Sequence, residues 1–358
     1  MIDFSEDRWK RVEEIYGKWW GHTLGRPLAG VVVVKDEYPV PPKLPFITQA
    51  NSLDLNIAPE QIVDRFEAEL SRYEFYGDAF PMINMDMFGP GILAAFLGAE
   101  ADNSTGRIWF RPCVQKELGE YTFSLDEDNV WWKRLREIYR IAAERFGGNV
   151  IMGMTDLGGV MDVLSTFRPG ELLLYDLFDC PQDVARQHAA VSELWMQAYE
   201  GLCPRNARGY TDWSTLFSKE KSYVVQCDFA YMIGNDMFEE FVAPDLRACC
   251  AALPHAIYHL DGQGELKHLD SLLRIPELDA VQWIPGEGSP SAEHWTDIYE
   301  RIIAAGKGVQ IGWYGFECFK EIAGRVSRPG ALTRPLFYVP EKDKTEALAF
   351  LDSLHIER

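Results

Sequence analysis

The sequence predicts an α/β fold: one (β/α)8 barrel, a TIM barrel over residues 1–358, with an N-terminal helix and a small insertion after the second strand. Three observations predict it. Short apolar runs alternate with amphipathic stretches almost from end to end, and eight such runs can be counted. Each run is compactly apolar rather than alternating, as a strand must be when crossover helices bury both its faces. No linker divides the 358 residues, a length that barrels reach as a single domain. The alternative is a doubly wound open sheet, but "VVVVKDEYPVPPKLP" puts prolines where that fold needs a glycine-rich phosphate turn.

Taken in order, the tryptophans Trp9, Trp19 and Trp20 fall in a helical pattern ahead of the first run, "LAGVVVV" from Leu28. The stretch "EYPVPPKLPF" then reads as a stiff loop on the rim where barrels place their sites. A helical pattern, "PEQIVDRFEAELSRYEFYG", leads to the second strand, "FPMINMDM" from Phe80. Arg107 to Leu125 reads as the insertion, a small hairpin, before the helix "NVWWKRLREIYRIAAERFGG". Strands three to five are "NVIMGMTD" from Asn149, "RGYTDW" from Arg208 and "YVVQCDF" from Tyr223. After the helical "NDMFEEFVAPDLRACCAAL" come "HAIYHLD" from His255, "DAVQWIP" from Asp279 and "GVQIGWY" from Gly308.

Composition narrows the partners. Acids outnumber Lys and Arg 55 to 35, a net charge of −20, which disfavours nucleic acid and anionic membrane surfaces. The N-terminal "MIDFSEDRWKRVEEIYGKWW" lacks the apolar core of a secretory signal, and no apolar run is long enough to span a bilayer. Seven cysteines, with no Cys-x-x-Cys among them, suit reduced thiols in a cytoplasm. A small molecule is the expected partner.

In a parallel barrel the C-terminal strand ends converge on one mouth. Here those ends carry Asp86, Asp156, Asp212 with Trp213, Asp228, and His259 with Asp261, then Trp283, the "PGEGSP" loop, and Trp313 with Tyr314. A strand-end Asp also caps helices, but five strands bearing one exceed what capping requires. The triplet His-Leu-Asp occurs twice. In the first copy, His259 and Asp261 lie two apart on a strand and share a face. The second lies in the helical pattern "GELKHLDSLLRI", where His268 and Asp270 diverge toward the helix surface. His259 reads as a histidine satisfied within a packed barrel layer, as a metal-ligand pair with Asp261, or as an acid–base pair whose tautomer Asp261 fixes. Asp156 and Asp228 are the further catalytic candidates; Asp86, Trp213, Trp283, Trp313 and Tyr314 are the candidate substrate wall.

Four segments carry a resemblance: "GRPLAGVVV", "MGMTDLGGVMDVLSTFRPGELLLYDLFDCPQDV", "VVQCDFAYMIGNDMFEEFVAPDL" and "YHLDGQGELKHLDSLLRIPELDAVQW". Together they resemble the uroporphyrinogen decarboxylase superfamily of barrels. That group includes zinc methyltransferases that move methyl groups from corrinoid proteins to thiols and, more distantly, cobalamin-independent methionine synthase. The resemblance implies a methyltransferase with zinc at His259 and Asp261, a corrinoid protein as methyl carrier, and a homodimer. The departures are specific. The methyltransferases' sixth strand ends in His-x-Cys, and a later Cys completes the zinc site; here Asp261 takes the first Cys position, "PLFYVPEKDK" has no Cys, and Cys318 lies in an earlier element. Carboxylate in place of sulfur makes a harder site, with Asp228, Glu287 or Tyr338 open as third ligand. The decarboxylases hold a polyanionic tetrapyrrole with arginines near the first strand, where this chain has Lys35, Asp36 and Glu37, so uroporphyrinogen is not the expected substrate. The leading expectation is a corrinoid-linked methyltransferase on a small neutral or cationic substrate. A cofactor-free decarboxylase or lyase comes second and a glycosidase last.

Overall fold

The computed structural model describes every residue except Met1, Asp3, Arg205 and Trp313. Its strands are β1 (Leu28–Val34), β2 (Tyr73–Gly77), β3 (Met82–Ile83), β4 (Ala99–Asp102), β5 (Trp109–Pro112), β6 (Ile151–Met152), β7 (Ser222–Gln226), β8 (His255–Asp261), β9 (Ala280–Ile284), β10 (Gly308–Ile311) and β11 (Leu332–Pro340). Strands β7, β8, β9, β10, β11 and β1 pair in parallel in that order, with β2 antiparallel on the outer edge. Strands β3 and β6 form a separate parallel pair, and β4–β5 is an antiparallel hairpin. The apolar runs at β1, β7 and β10 are buried almost throughout, as strands covered on both faces must be. Among the described residues no helix is long and apolar enough to cross a membrane.

The arrangement is barrel-like, but among the described residues the ladder does not close as a (β/α)8 cylinder. It parts at two seams. At the first, the Asp78 N–H donates to the Ala29 carbonyl at 3.2 Å. A Cβ on Gly30 there would lie 2.3 Å from the Ala79 nitrogen, so only glycine lets the two segments meet. At the second, a lone bridge joins Met154 to Asp212, and the Asp212 carboxylate accepts the Val224 N–H at 2.9 Å. The side chain does there what a strand would otherwise do.

That second seam corrects the expected strand "RGYTDW". The segment makes only isolated bridges, Met154 with Asp212 and Tyr210 with Ser218, because Asp212 is spent on the Ser214 and Val224 amides. The parallel arc is completed instead by β11, "LTRPLFYVP", whose prolines argue against a ladder strand. The register explains how it fits: Ala29 pairs with Arg334 but Val31 with Phe337, so Pro335 falls in a bulge opposite Gly30. Two smaller corrections follow. The helix begun at Pro59 ends at Leu70, and "YEFYG" is β2. The inserted hairpin starts at Ala99 rather than Arg107.

The N-terminal helix, Glu6–Trp20, is capped by Ser5, which accepts the Arg8 N–H, and has Glu6 and Asp7 in its first turn. It covers the end of the barrel where the strands begin. Tyr16 donates to the Asp78 carbonyl at 3.2 Å, the Trp20 indole donates to the Phe217 carbonyl at 2.8 Å, and the Trp20 ring stacks on His255.

Candidate active site at the strand ends

The site begins with register. Gln226, His259, Gln282, Gln310 and Thr333 are mutual partners across β7, β8, β9, β10 and β11. Partners at one level share a face, so five polar side chains form a row through an otherwise apolar sheet. The His259 Nδ1 lies 2.5 Å from the Gln282 Oε1. An amide oxygen only accepts, so Nδ1 carries the proton and Nε2 presents its lone pair. Burial holds the imidazole below its ordinary pKa, while Gln282 and Asp261 oppose that shift. The ring is neutral and oriented.

Asp261, two residues on, shares this face, and Asp228 arrives from the turn after β7. Ligand atoms of Asp228, His259 and Asp261 all lie within 4.8 Å of one another. The Asp228 loop is held by Asp162, whose carboxylate accepts the N–H groups of Asp228 at 3.1 Å and Phe229 at 2.8 Å. Asp162 sits in the first turn of the helix Val160–Phe167. That turn presses on β7 so closely that a Cβ on Gly159 would stand 2.2 Å from the Gln226 carbonyl oxygen. Asp156, after β6, is buried and accepts the Gly158 N–H at 2.8 Å.

These carboxyls perturb one another. Burial raises Asp156 to about 7; the Gly158 N–H opposes this, and Asp162 and Asp86 add to it. Burial raises Asp162 to about 7, with the Asp228 charge next in size. Asp228 is reached by solvent from a cleft but packed round by protein, which raises it to about 7, with help from Asp261 and Asp156. Glu265, buried in the turn after β8, is pushed up to about 10 by burial and then by Asp228, Asp162 and Asp261. Its Oε2 accepts from the Tyr258 hydroxyl at 3.3 Å. Among the described residues no lysine or arginine is a leading cause of any of these four shifts. The cluster is acidic and uncompensated.

The structure distributes the remaining expected residues. Trp213 meets His259 edge-on, ring centroids 5.0 Å apart. Asp86 lies in an exposed turn after β3 and acts on Asp156 through its charge. Trp283 does not wall the mouth: it is 0% exposed and packs on Trp295 at 5.3 Å. Strand alternation explains this, since its neighbour Gln282 takes the inward position. Tyr314 lies in the field of Cys318 and Glu293 rather than with the carboxylates. Trp313 lies outside the described residues. Of the three open third ligands, Asp228 joins the group; Glu287 is exposed, and Tyr338 packs on Tyr73. Cys318 bonds to Glu293 at 3.0 Å, away from the trio. The second triplet also needs correction: His268 is buried, stacked on Phe238, and bonded to the Ala230 carbonyl at 2.9 Å. Asp270 is on the surface, paired with Arg301.

A cleft of about 1000 Å³ opens from this site, between the β4–β5 hairpin and the helix Val160–Phe167. Trp109 and Phe110 line one side, Phe229 and Met232 another, and Asp162, Gln226 and Asp228 the inner end. Asp162, Glu265, Gln282 and the hairpin were not among the sequence candidates. For the glutamines a signal exists: "VVQ", "AVQW" and "GVQI" each interrupt an apolar strand with a single Gln.

The geometry defines a barrel-like α/β protein with an acidic, imidazole-bearing mouth at its strand ends. No protein-family model and no curated protein matches the chain. Among solved structures it is similar to a methyltransferase from Methanosarcina mazei, with a TM-score of 0.64 and 12% identity, over 96% of this chain and 99% of that one. The two share a fold along their whole length.

Proposed function

We propose that the chain is a methyltransferase of the corrinoid-linked kind, acting on a small neutral or cationic substrate, with Asp228, His259 and Asp261 holding a divalent ion such as zinc. One observation carries the reading: three metal-ligating side chains converge within 4.8 Å at the strand ends, on a fold shared with a methyltransferase. The donor set fits such an ion. One imidazole nitrogen and two carboxylates match the three-ligand pattern of open catalytic sites, and the lack of sulfur favours a harder centre than a thiolate site. When bound, the ion would supply Lewis acidity to a substrate heteroatom.

The chain's own groups have separate tasks. Gln282 keeps the His259 Nδ1 protonated, so Nε2 faces the site. Asp162 fixes the backbone that carries Asp228. Trp213 shields the imidazole from water. Asp156, near 7, holds a proton over the neutral range. A corrinoid partner would supply the nucleophile for the methyl group, and Asp156 would supply the proton that the departing heteroatom takes up on its bonding pair.

The test combines elemental analysis of the purified chain with methyl-transfer assays using a corrinoid protein and a panel of methylated donors. A stoichiometric divalent ion and transfer, both lost in His259→Ala and Asp261→Ala, are expected. No bound ion and no transfer would refute the reading, and carbon dioxide release without a methyl acceptor would replace it with a lyase.

A further inference from the structure

The cleft beside the trio has walls of two kinds. Its outer part is aromatic: Trp109 and Phe110 come from the hairpin, and Phe229 from the turn after β7. Trp109 is 57% exposed, an unusual place for an indole with nothing covering it. Its inner end is polar. Asp228 and Asp162 stand there with Gln226, which is only 7% exposed and lines the cleft.

Charge selects the ligand further. Among the described residues, Asp162, Asp228 and Glu171 line the cleft against a single cation, Arg111, which is already paired with Asp102 at 3.5 Å. No lysine lines it. An anion would meet net repulsion. A primary ammonium would need three acceptors on leaving water, whereas most of this wall is hydrocarbon and ring. A methylated ammonium spreads its charge over methyl groups, needs no acceptor, and is attracted to aromatic faces as well as to carboxylates.

We propose that this cleft binds a methylated ammonium compound, its onium group against Trp109 and Phe229 and facing Asp162 and Asp228, with Gln226 hydrogen-bonding a polar group of the ligand. The inference rests on the methyltransferase reading, because it assigns that enzyme's substrate class and brings a transferable methyl group next to the trio. With Asp228 committed to an ion, Asp162 and Glu171 would still supply negative charge.

The experiment uses the full chain, treated with a chelator and without a corrinoid protein, so binding is read apart from metal and turnover. Choline and its uncharged isostere, in which carbon replaces the quaternary nitrogen, are titrated by calorimetry. Choline is expected to bind about tenfold more tightly than the isostere. Trp109→Ala should abolish most of that preference and Trp109→Phe retain it; the residue is exposed on a hairpin, so the fold should tolerate both. Gln226→Leu should weaken choline while leaving the charge preference in place. Equal affinities for the two probes, no binding of either, or a preference indifferent to Trp109→Ala would overturn the proposal. Methyl transfer from uncharged donors alone would overturn it while sparing the methyltransferase reading. A choline preference in a chain without metal or transfer would sink that reading and leave the binding site standing.

Discussion

The two ends of the barrel-like fold treat buried charge in opposite ways. Where the strands begin, Arg26 grips the Asp78 carboxylate with two bonds of 2.7 and 2.8 Å, and Asp78 also accepts the Ala29 N–H. At the same end the Lys307 ammonium donates to the carbonyls of Ile275 and Leu278 at 2.7 and 2.6 Å, and the N-terminal helix covers the surface. Where the strands finish, Asp156, Asp162, Asp228, Asp261 and Glu265 crowd together, and among the described residues no cation is a leading influence on the four whose pKa is raised. Clustering like charges in a low-dielectric site destabilises a fold. The first end is therefore organised for stability and the second for something the fold itself does not supply. A cationic ligand would complete it, as expected when strand ends carry function.

The sharpest way to break this contrast is to remove a charge at each end. Arg26→Ala strands the Asp78 side chain, which is 0% exposed, as an unpaired buried carboxylate. A loss of about 3–5 kcal/mol in denaturant unfolding is expected. Asp156→Asn replaces a buried carboxyl whose ionised form burial disfavours and should leave the metal-free chain as stable as its parent, or more so, at neutral pH. If the two substitutions cost the same, the ends do not differ in the way described.

Next in size is the effect on metal affinity, measured by competition with a chelator. His259→Ala or Asp261→Ala should weaken zinc binding by about 100-fold or more, with little change in the melting temperature of the chelated protein. Gln282→Leu keeps the ligands but frees the imidazole to rotate and change tautomer, so a loss of about 10–100-fold is expected. Equal melting losses in all three without metal would mean that the row is packing and not a site.

The sequence made the strand ends legible because parallel strands, once recognised, force their termini together, and period-two alternation pairs His259 with Asp261. The same rule, applied one residue out, misassigned Trp283: the inward position belongs to Gln282, and which of two neighbours points inward depends on a register the chain alone does not display. Strand β11 was hidden by Pro335, since a bulge opposite Gly30 is a property of the pair. Asp212 imitated a strand-end ligand while acting as a hydrogen-bond bridge between segments. Asp162 and Glu265 sit in a helix and a turn, and nothing local marks them, because their roles come from burial beside other acids. The hairpin's place over the cleft is likewise a matter of three-dimensional contact, which "RIWF" does not encode.

The smallest expected effect is on pH dependence, and its sign is diagnostic. An aspartate whose folded-state pKa is raised to about 7 keeps its proton in the folded chain over the range where the unfolded chain, near its ordinary value of about 4, has lost it. The folded state then binds more protons, so stability falls as pH rises through that window and levels off above about 7. For Asp156 alone this amounts to about 1 kcal/mol between about pH 6 and pH 7. The paired acids at the surface, such as Glu74 and Glu239, are held down at about 2 and titrate below this window, so they do not mask it. Histidines such as His188, His259 and His268, held below their ordinary value by burial, add a slope of the opposite sign, so the expected result is a difference: between about pH 6 and pH 7.5 the melting temperature of the chelated chain should lose ground to that of Asp156→Asn. Saturating zinc should reverse the slope, because an ion favours the ionised carboxylates. A slope that Asp156→Asn leaves unchanged would show that the mouth acids are compensated, and the distinction between the two ends would fall.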